Sequence, residues 1–254
     1  MTVAETSTSR LKVKRVVGFT FSLIHRNLLT FFLLSTIVAV PAGILRYQES
    51  VFPGAALWDM PIAVPFATYI VAASLLTAII ARTLVPESGG SYPSLTQSLA
   101  AVVRDFIPLV MIALISGLAV VLGLFLLVLP GVILGVILAV VMPVRIIERT
   151  RFVQTFVRSA VLTNGDRWPI LGLLIASIVI EIAGVLAVNA FMGDPVFAGY
   201  SEDVQSGGPA AILSTAIING ATSLITAAGT AVLYCELRRV KDGPAPRELA
   251  AEFD

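Results

Sequence analysis

The stretch Phe106–Val144, FIPLVMIALISGLAVVLGLFLLVLPGVILGVILAVVMPV, decides the fold: between Asp105 and Arg145 it runs 39 residues without a charge. As a single helix it would reach about 58 Å, almost twice the roughly 30 Å hydrocarbon core of a bilayer. It has to turn back, and Leu129-Pro130-Gly131 supplies the turn chemistry. Two membrane spans follow, Phe106–Leu129 and Gly131–Ile147.

Working outward, the charges mark off four more spans: Leu28–Leu45, Pro61–Ala81, Trp168–Ala190, which holds the single charge Glu181, and Pro209–Tyr234. Composition agrees with a polytopic membrane protein. The chain has 254 residues, 57% hydrophobic and 13% charged, with a mean hydropathy of +0.94. Soluble domains carry roughly 45–50% apolar and about 25% charged residues. A net charge of +1 gives no basic field for nucleic acid. The lone Cys235 cannot form an internal disulfide.

Of the seventeen Lys and Arg, all but Arg46 fall in the amino-terminal segment, the loops after spans two and four, and the tail. Cytoplasmic loops carry such an excess, so both termini are expected inside the plasma membrane of a bacterium. Val40-Pro41-Ala42 has the small residues of a signal-peptide cleavage site. The long polar leader and span-length apolar run favour an uncleaved first helix. The expectation is one all-α integral domain over 1–254, a six-span bundle, with loose tails at 1–11 and 244–254.

Short amphipathic helices lead into the odd-numbered spans. In Arg151–Thr163, Phe152, Val153, Phe156, Val157, Ala160 and Val161 share a face, as expected of a helix lying at the membrane interface. Ser94–Arg104 and Lys12–Ile24 follow the same idea. The junctions FSLIHRNLL from Phe21, SLAAVVRDFIP from Ser98 and SAVLTNGDRWP from Ser159 suggest three hairpin repeats covering 12–60, 93–147 and 151–236. Gly131, Gly135 and Ala139, and likewise Ala216 and Gly220, sit four apart, a spacing that lets helices approach closely. Pro41, Pro108 and Pro143 are expected kinks.

Glu181, midway along span five, needs a partner or a proton at that depth. Asn189, Asn219 and Thr222 are candidate partners, and Thr226 and Thr230 extend a polar stripe. Interhelical packing and a proton-carrying ligand site are the two roles open to it. Arg145, Arg149, Arg151, Arg158 and Arg167 are candidate contacts for phosphate headgroups. Glu148 is expected to pair with its neighbours Arg145 and Arg149. The acidic stretch with Asp194, Glu202 and Asp203 lacks a calcium-loop pattern. His25 has no triad or zinc-ligand company, and no phosphate loop or dinucleotide fingerprint occurs. No catalytic residue, metal or cofactor is expected.

Three stretches carry a resemblance: Leu129-Pro-Gly followed by Pro143–Glu148, Arg158–Trp168, and Tyr234–Gly243. Together they resemble bacterial six-helix inner-membrane proteins related to the membrane domain of glycerophosphodiester phosphodiesterases. That activity belongs to a separate soluble barrel with a His-Arg-Gly motif. Here His25-Arg26 is followed by Asn27, so no catalytic residue carries over. The resemblance implies a membrane protein linked to lipids or envelope upkeep. The resulting expectation is a non-enzymatic protein that binds membrane lipids or a membrane partner, including a second copy of itself. The alternative is a small secondary transporter using Glu181.

Overall fold

The computed structural model describes residues 11–51, 63–85, 92–192 and 208–243. Within them only the backbone is described at 42–51, 63–66, 185, 187–192, 208–216, 218 and 219. The elements are α1 (Val13–Arg26), α2 (Leu28–Val51), α3 (Ala63–Leu84), α4 (Leu95–Arg104), α5 (Phe106–Leu126), α6 (Val128–Leu138), α7 (Val141–Glu148), α8 (Phe152–Thr163), α9 (Arg167–Met192) and α10 (Gly208–Asp242). Among the described residues there is no strand. Among the described residues, four stretches are long and apolar enough to cross a membrane: Ala67–Leu84, Phe106–Leu126, Val128–Glu148 and Arg167–Gly184. A fifth is added if Val13–Arg26 and Leu28–Pro41, bent by 91°, count as one. The expected segment 209–234 lies on the 35-residue α10. Both expected tails, apart from Leu11, and the acidic stretch with Asp194, Glu202 and Asp203 lie outside the described residues. Leu11 itself is buried.

The uncharged stretch does form a helical hairpin, but it turns earlier than the Leu-Pro-Gly signal suggests. Leu127 is extended (φ −159°, ψ 129°), and its N–H bonds back to the Gly123 carbonyl at 3.0 Å. Pro130 then falls in the first turn of α6, where its missing N–H costs no intrahelical bond. Gly131 is where the two helices touch. A Cβ there would lie 2.6 Å from the Leu124 Cα. Gly220 plays the same part between α10 and α2, where a Cβ would sit 2.8 Å from the Thr36 backbone nitrogen. Gly135, four residues beyond Gly131, has nothing within 4 Å of its Cβ position, so of these two glycines only Gly131 makes a close approach.

Span four is broken between α6 and α7. Pro143 disfavours a continuous helix because its ring crowds the carbonyl four residues back, that of Ala139. The break leaves carbonyls at the end of α6 without intrahelical donors. Ser159, wholly buried on α8, donates its hydroxyl to one of them, the Ile137 carbonyl, at 2.6 Å. Pro108 falls in the first turn of α5, and Pro41 lies inside α2.

Two apolar cores share α10. One joins α2, α3, α5, α7 and α10 through Phe31, Leu76, Ile80, Leu109, Ile112, Met142 and Ala228. The other joins α6, α7, α8, α9 and α10 through Val140, Val144, Leu162, Ile170, Tyr234 and Leu237. The most extensive helix pairing is α2 with α10. By contrast α9 is loosely held: only 6% of Arg167–Gly184 is buried.

The three short helices α1, α4 and α8 share one arrangement. A hydroxyl residue seven positions before the polar junction residue is buried: Thr20, Ser98 and Ser159. The junction residues Asn27, Asp105 and Asp166 accept, on their carbonyls, the N–H of the residue four on, at 3.0, 3.0 and 3.1 Å. Those residues, Phe31, Leu109 and Ile170, are buried. Each long helix therefore starts on a backbone carbonyl presented by the junction, with an apolar anchor one turn inside.

The α5–α6 contact makes a comparison possible. Gly131→Ala is expected to lower stability by about 1–3 kcal/mol through overpacking. Gly135→Ala, in open space inside a helix, is expected to leave it unchanged or raise it by up to about 1 kcal/mol. Thermal unfolding of the two variants in detergent reads the difference, and equal melting temperatures would contradict the close approach.

Candidate functional site

Two polar constellations stand out from the apolar body. The first surrounds Glu181. Its carboxylate Oε1 accepts the Thr226 hydroxyl at 2.8 Å and the Tyr69 hydroxyl at 3.5 Å, so the half-buried side chain links α9 to α10 and α3. Thr222 is buried one turn before Thr226, with its methyl against Gly184, where a Cβ would come within 2.9 Å. The side chains of Asn189 and Asn219 lie outside the described residues. Sequence spacing placed Thr226 on the right stripe but missed Tyr69, the tyrosine in span two. Tyr69 also lines a small cavity together with Ser35 and Ser223.

The second constellation gathers where α7, α8 and α10 meet. Glu148 pairs with Arg158, ten residues on, rather than with Arg145 or Arg149 as expected. The Arg158 Nε lies 3.2 and 3.0 Å from the two carboxylate oxygens. The reason is the chain reversal after α7. Arg149 takes a left-handed conformation (φ 49°), which ends α7 and turns the chain into α8. Glu148 also accepts the Tyr234 hydroxyl at 3.0 Å, and Arg158 reaches Asp242 with its terminal nitrogen. Burial opposes the charge on Arg158, but the bonds to Glu148 and Asp242 outweigh it and push its pKa up.

Arg145 turns the other way. It donates to the Thr150 carbonyl and lies 4.0 Å from Asp105 at the α4–α5 junction. Two further carboxylates complete the set. Asp166 accepts the Leu11 N–H at 3.1 Å and lies 3.9 Å from Lys241. Glu236 lies 3.6 Å from Arg15 and 3.8 Å from Arg239. The five candidate headgroup cations thus divide. Arg145 and Arg158 are committed to internal partners, whereas Arg149, Arg151 and Arg167 are exposed.

The neighbouring helix surface has an unusual arrangement. On α8, Thr155, Ser159 and Thr163 are buried, while Val153, Val157 and Val161 are 70%, 58% and 53% exposed. The inward hydroxyls are satisfied. Thr155 and Thr163 bond the carbonyls of Arg151 and Ser159 at 3.1 and 3.0 Å. The single apolar face expected for α8 is split, with Phe152 and Phe156 packed on the core and in edge-to-face contact at 5.4 Å. Exposed Phe19 and Phe21 on α1, and Leu99 and Val103 on α4, extend the apolar surface. Among the described residues no three His, Cys, Asp or Glu side chains are placed to hold a metal ion.

A double-mutant cycle tests the pairing of Glu148. Glu148→Gln and Arg158→Leu are expected to couple by roughly 1–3 kcal/mol in unfolding free energy. Strictly additive effects would show that the pair contributes nothing.

Comparison of the chain with family models, with curated proteins and with solved structures finds no match.

Proposed function

We propose that this chain is a non-enzymatic, multi-pass protein of the bacterial inner membrane. In this reading six spans are arranged as three repeated units, both termini are cytoplasmic, and its short helices bind anionic phospholipid at the inner surface. The observation that carries the reading is α8. It turns small hydroxyls toward the protein and valines outward, with Arg149 and Arg151 exposed at its start. That is the reverse of a helix on a water-facing surface, and it suits a helix whose outer face meets lipid. The exposed guanidiniums fit phosphate geometry. The excess of Lys and Arg in the expected cytoplasmic segments supports the orientation. The shared arrangement at Asn27, Asp105 and Asp166 supports the repeat. The resemblance in the second half of the chain to membrane domains of glycerophosphodiester phosphodiesterases supports a role close to lipid.

A second reading, proton-coupled transport, draws on the cavity that Tyr69, the partner of Glu181, helps to line. It requires Glu181→Gln to abolish solute uptake into proteoliposomes. The two hydroxyl donors on Glu181 favour the packing role, in which that variant changes stability alone.

Native mass spectrometry from nanodiscs of mixed phosphatidylglycerol and phosphatidylcholine tests the lipid reading. The wild type is expected to retain phosphatidylglycerol preferentially, and the Arg149→Gln, Arg151→Gln, Arg167→Gln triple variant to lose at least half of that preference. Retention in proportion to the bulk lipid would contradict it.

A further inference from the structure

Between α1, α9 and α10 runs an open groove, with walls that include Val17, Phe21, Leu174, Ile180, Gly229 and Leu233. Its walls are almost wholly carbon. Three of the hydroxyls that line it have turned their protons elsewhere. Thr20 donates to the Val16 carbonyl, Ser177 to the Leu174 carbonyl and Thr226 to Glu181, each at 2.8 Å. A hydrated solute would find little to bond there. Gly229 opens into free space, since a Cβ there meets nothing within 4 Å.

The cationic end is set by Asp166. By holding the Leu11 N–H and lying near Lys241, it draws the starts of α1 and α9 and the end of α10 together. The exposed cations at that end include Lys12 and Lys14, beside and one turn from Leu11, and Arg167, next to Asp166. From Arg167 the groove walls on α9, Leu173 to Ile180, lie about 9 to 20 Å along the helix axis. In a bilayer with a core of about 30 Å that is acyl-chain depth in the nearer leaflet.

We propose that this groove seats one acyl chain of an anionic membrane phospholipid, with its phosphate held between Lys14 and Arg167. The proposal deepens the lipid-binding reading above and rests on it. The α9 side of the groove is open because α9 is so little buried, and the chain would enter sideways from the surrounding lipid. The carbon walls take the chain, and the paired cations select a negative headgroup.

The test uses the full chain in detergent with an equimolar phosphatidylglycerol carrying a photoreactive diazirine in its acyl chain, followed by peptide mass mapping. Labels are expected to concentrate in 17–21, 174–180 and 229–233. Gly229→Leu, and independently Ser177→Leu, should reduce those labels at least fivefold. Labels on the exposed 107–118 face of α5 should stay unchanged. Labelling spread evenly over α5 and α9, or unaltered by both variants, would overturn the proposal. Native mass spectrometry separates the two levels. Wild-type lipid retention by both filled variants overturns the groove and leaves the lipid-binding reading standing. A wild type that retains no phospholipid overturns both. A wild-type dimer that Gly229→Leu splits would put a second copy in the groove, and so also overturn the proposal.

Discussion

Three carboxylates with little exposure, Glu148, Asp166 and Glu236, hold the short helices α1 and α8 to the rest of the protein. Each gathers groups from at least two elements: Arg158 of α8 and Tyr234 of α10 at Glu148, the Leu11 N–H and Lys241 at Asp166, and Arg15 of α1 beside Glu236 of α10. A carboxylate withdrawn from water is tolerable only with such partners, and removing one leaves the other uncompensated. Every one of the three contacts α10, directly or through Lys241. The same helix supplies Thr226 to Glu181 and side chains to both apolar cores. Loss of α10 would therefore release α1, α8 and the start of α9 together.

Backbone accounting explains why the short helices need to be held where they are. The chain breaks before α2, α5 and α9, and again between α6 and α7. Every break exposes carbonyl and amide groups that lipid cannot satisfy. The junction carbonyls of Asn27, Asp105 and Asp166 serve the first three, and the Ser159 hydroxyl serves the fourth. Buried serines and threonines on α8 are thus backbone partners, and that use leaves the valines to face outward. Function in this account follows from structure at that point, because a helix packed by its hydroxyl face presents hydrocarbon to its surroundings.

Much of this was legible in the sequence, for physical reasons that also mark its limits. The uncharged stretch 106–144 exceeds any single span, so a hairpin was forced whatever the turn. Its position moved to Leu127 because Pro130 and Gly131 are more useful inside the first turn of α6, where one lacks an N–H and the other lets Leu124 approach. Glu181 with the threonine stripe was visible from spacing along single helices. Tyr69, and the pairing of Glu148 with Arg158 and Tyr234, were not. They depend on which helices become neighbours, and spacing along one helix carries no such information. The face of α8 differs from the expected one for a related reason: small hydroxyl residues read as solvent-facing, yet Ser159 is used by the broken helix nearby, and Thr155 and Thr163 are satisfied by carbonyls one turn back.

Depth measurement by spin labelling tests the central claim, that α8 meets lipid with its valines. Single cysteines replace Val157 or the exposed Gln154 in a chain carrying Cys235→Ala, reconstituted in phosphatidylglycerol-containing vesicles. The account predicts that the label at 157 is relaxed by oxygen and shielded from a water-soluble nickel chelate, while the label at 154, about 60° round the helix toward Arg158, is less shielded from nickel. Equal, strong relaxation of both labels by nickel would place the valine face in water and contradict it.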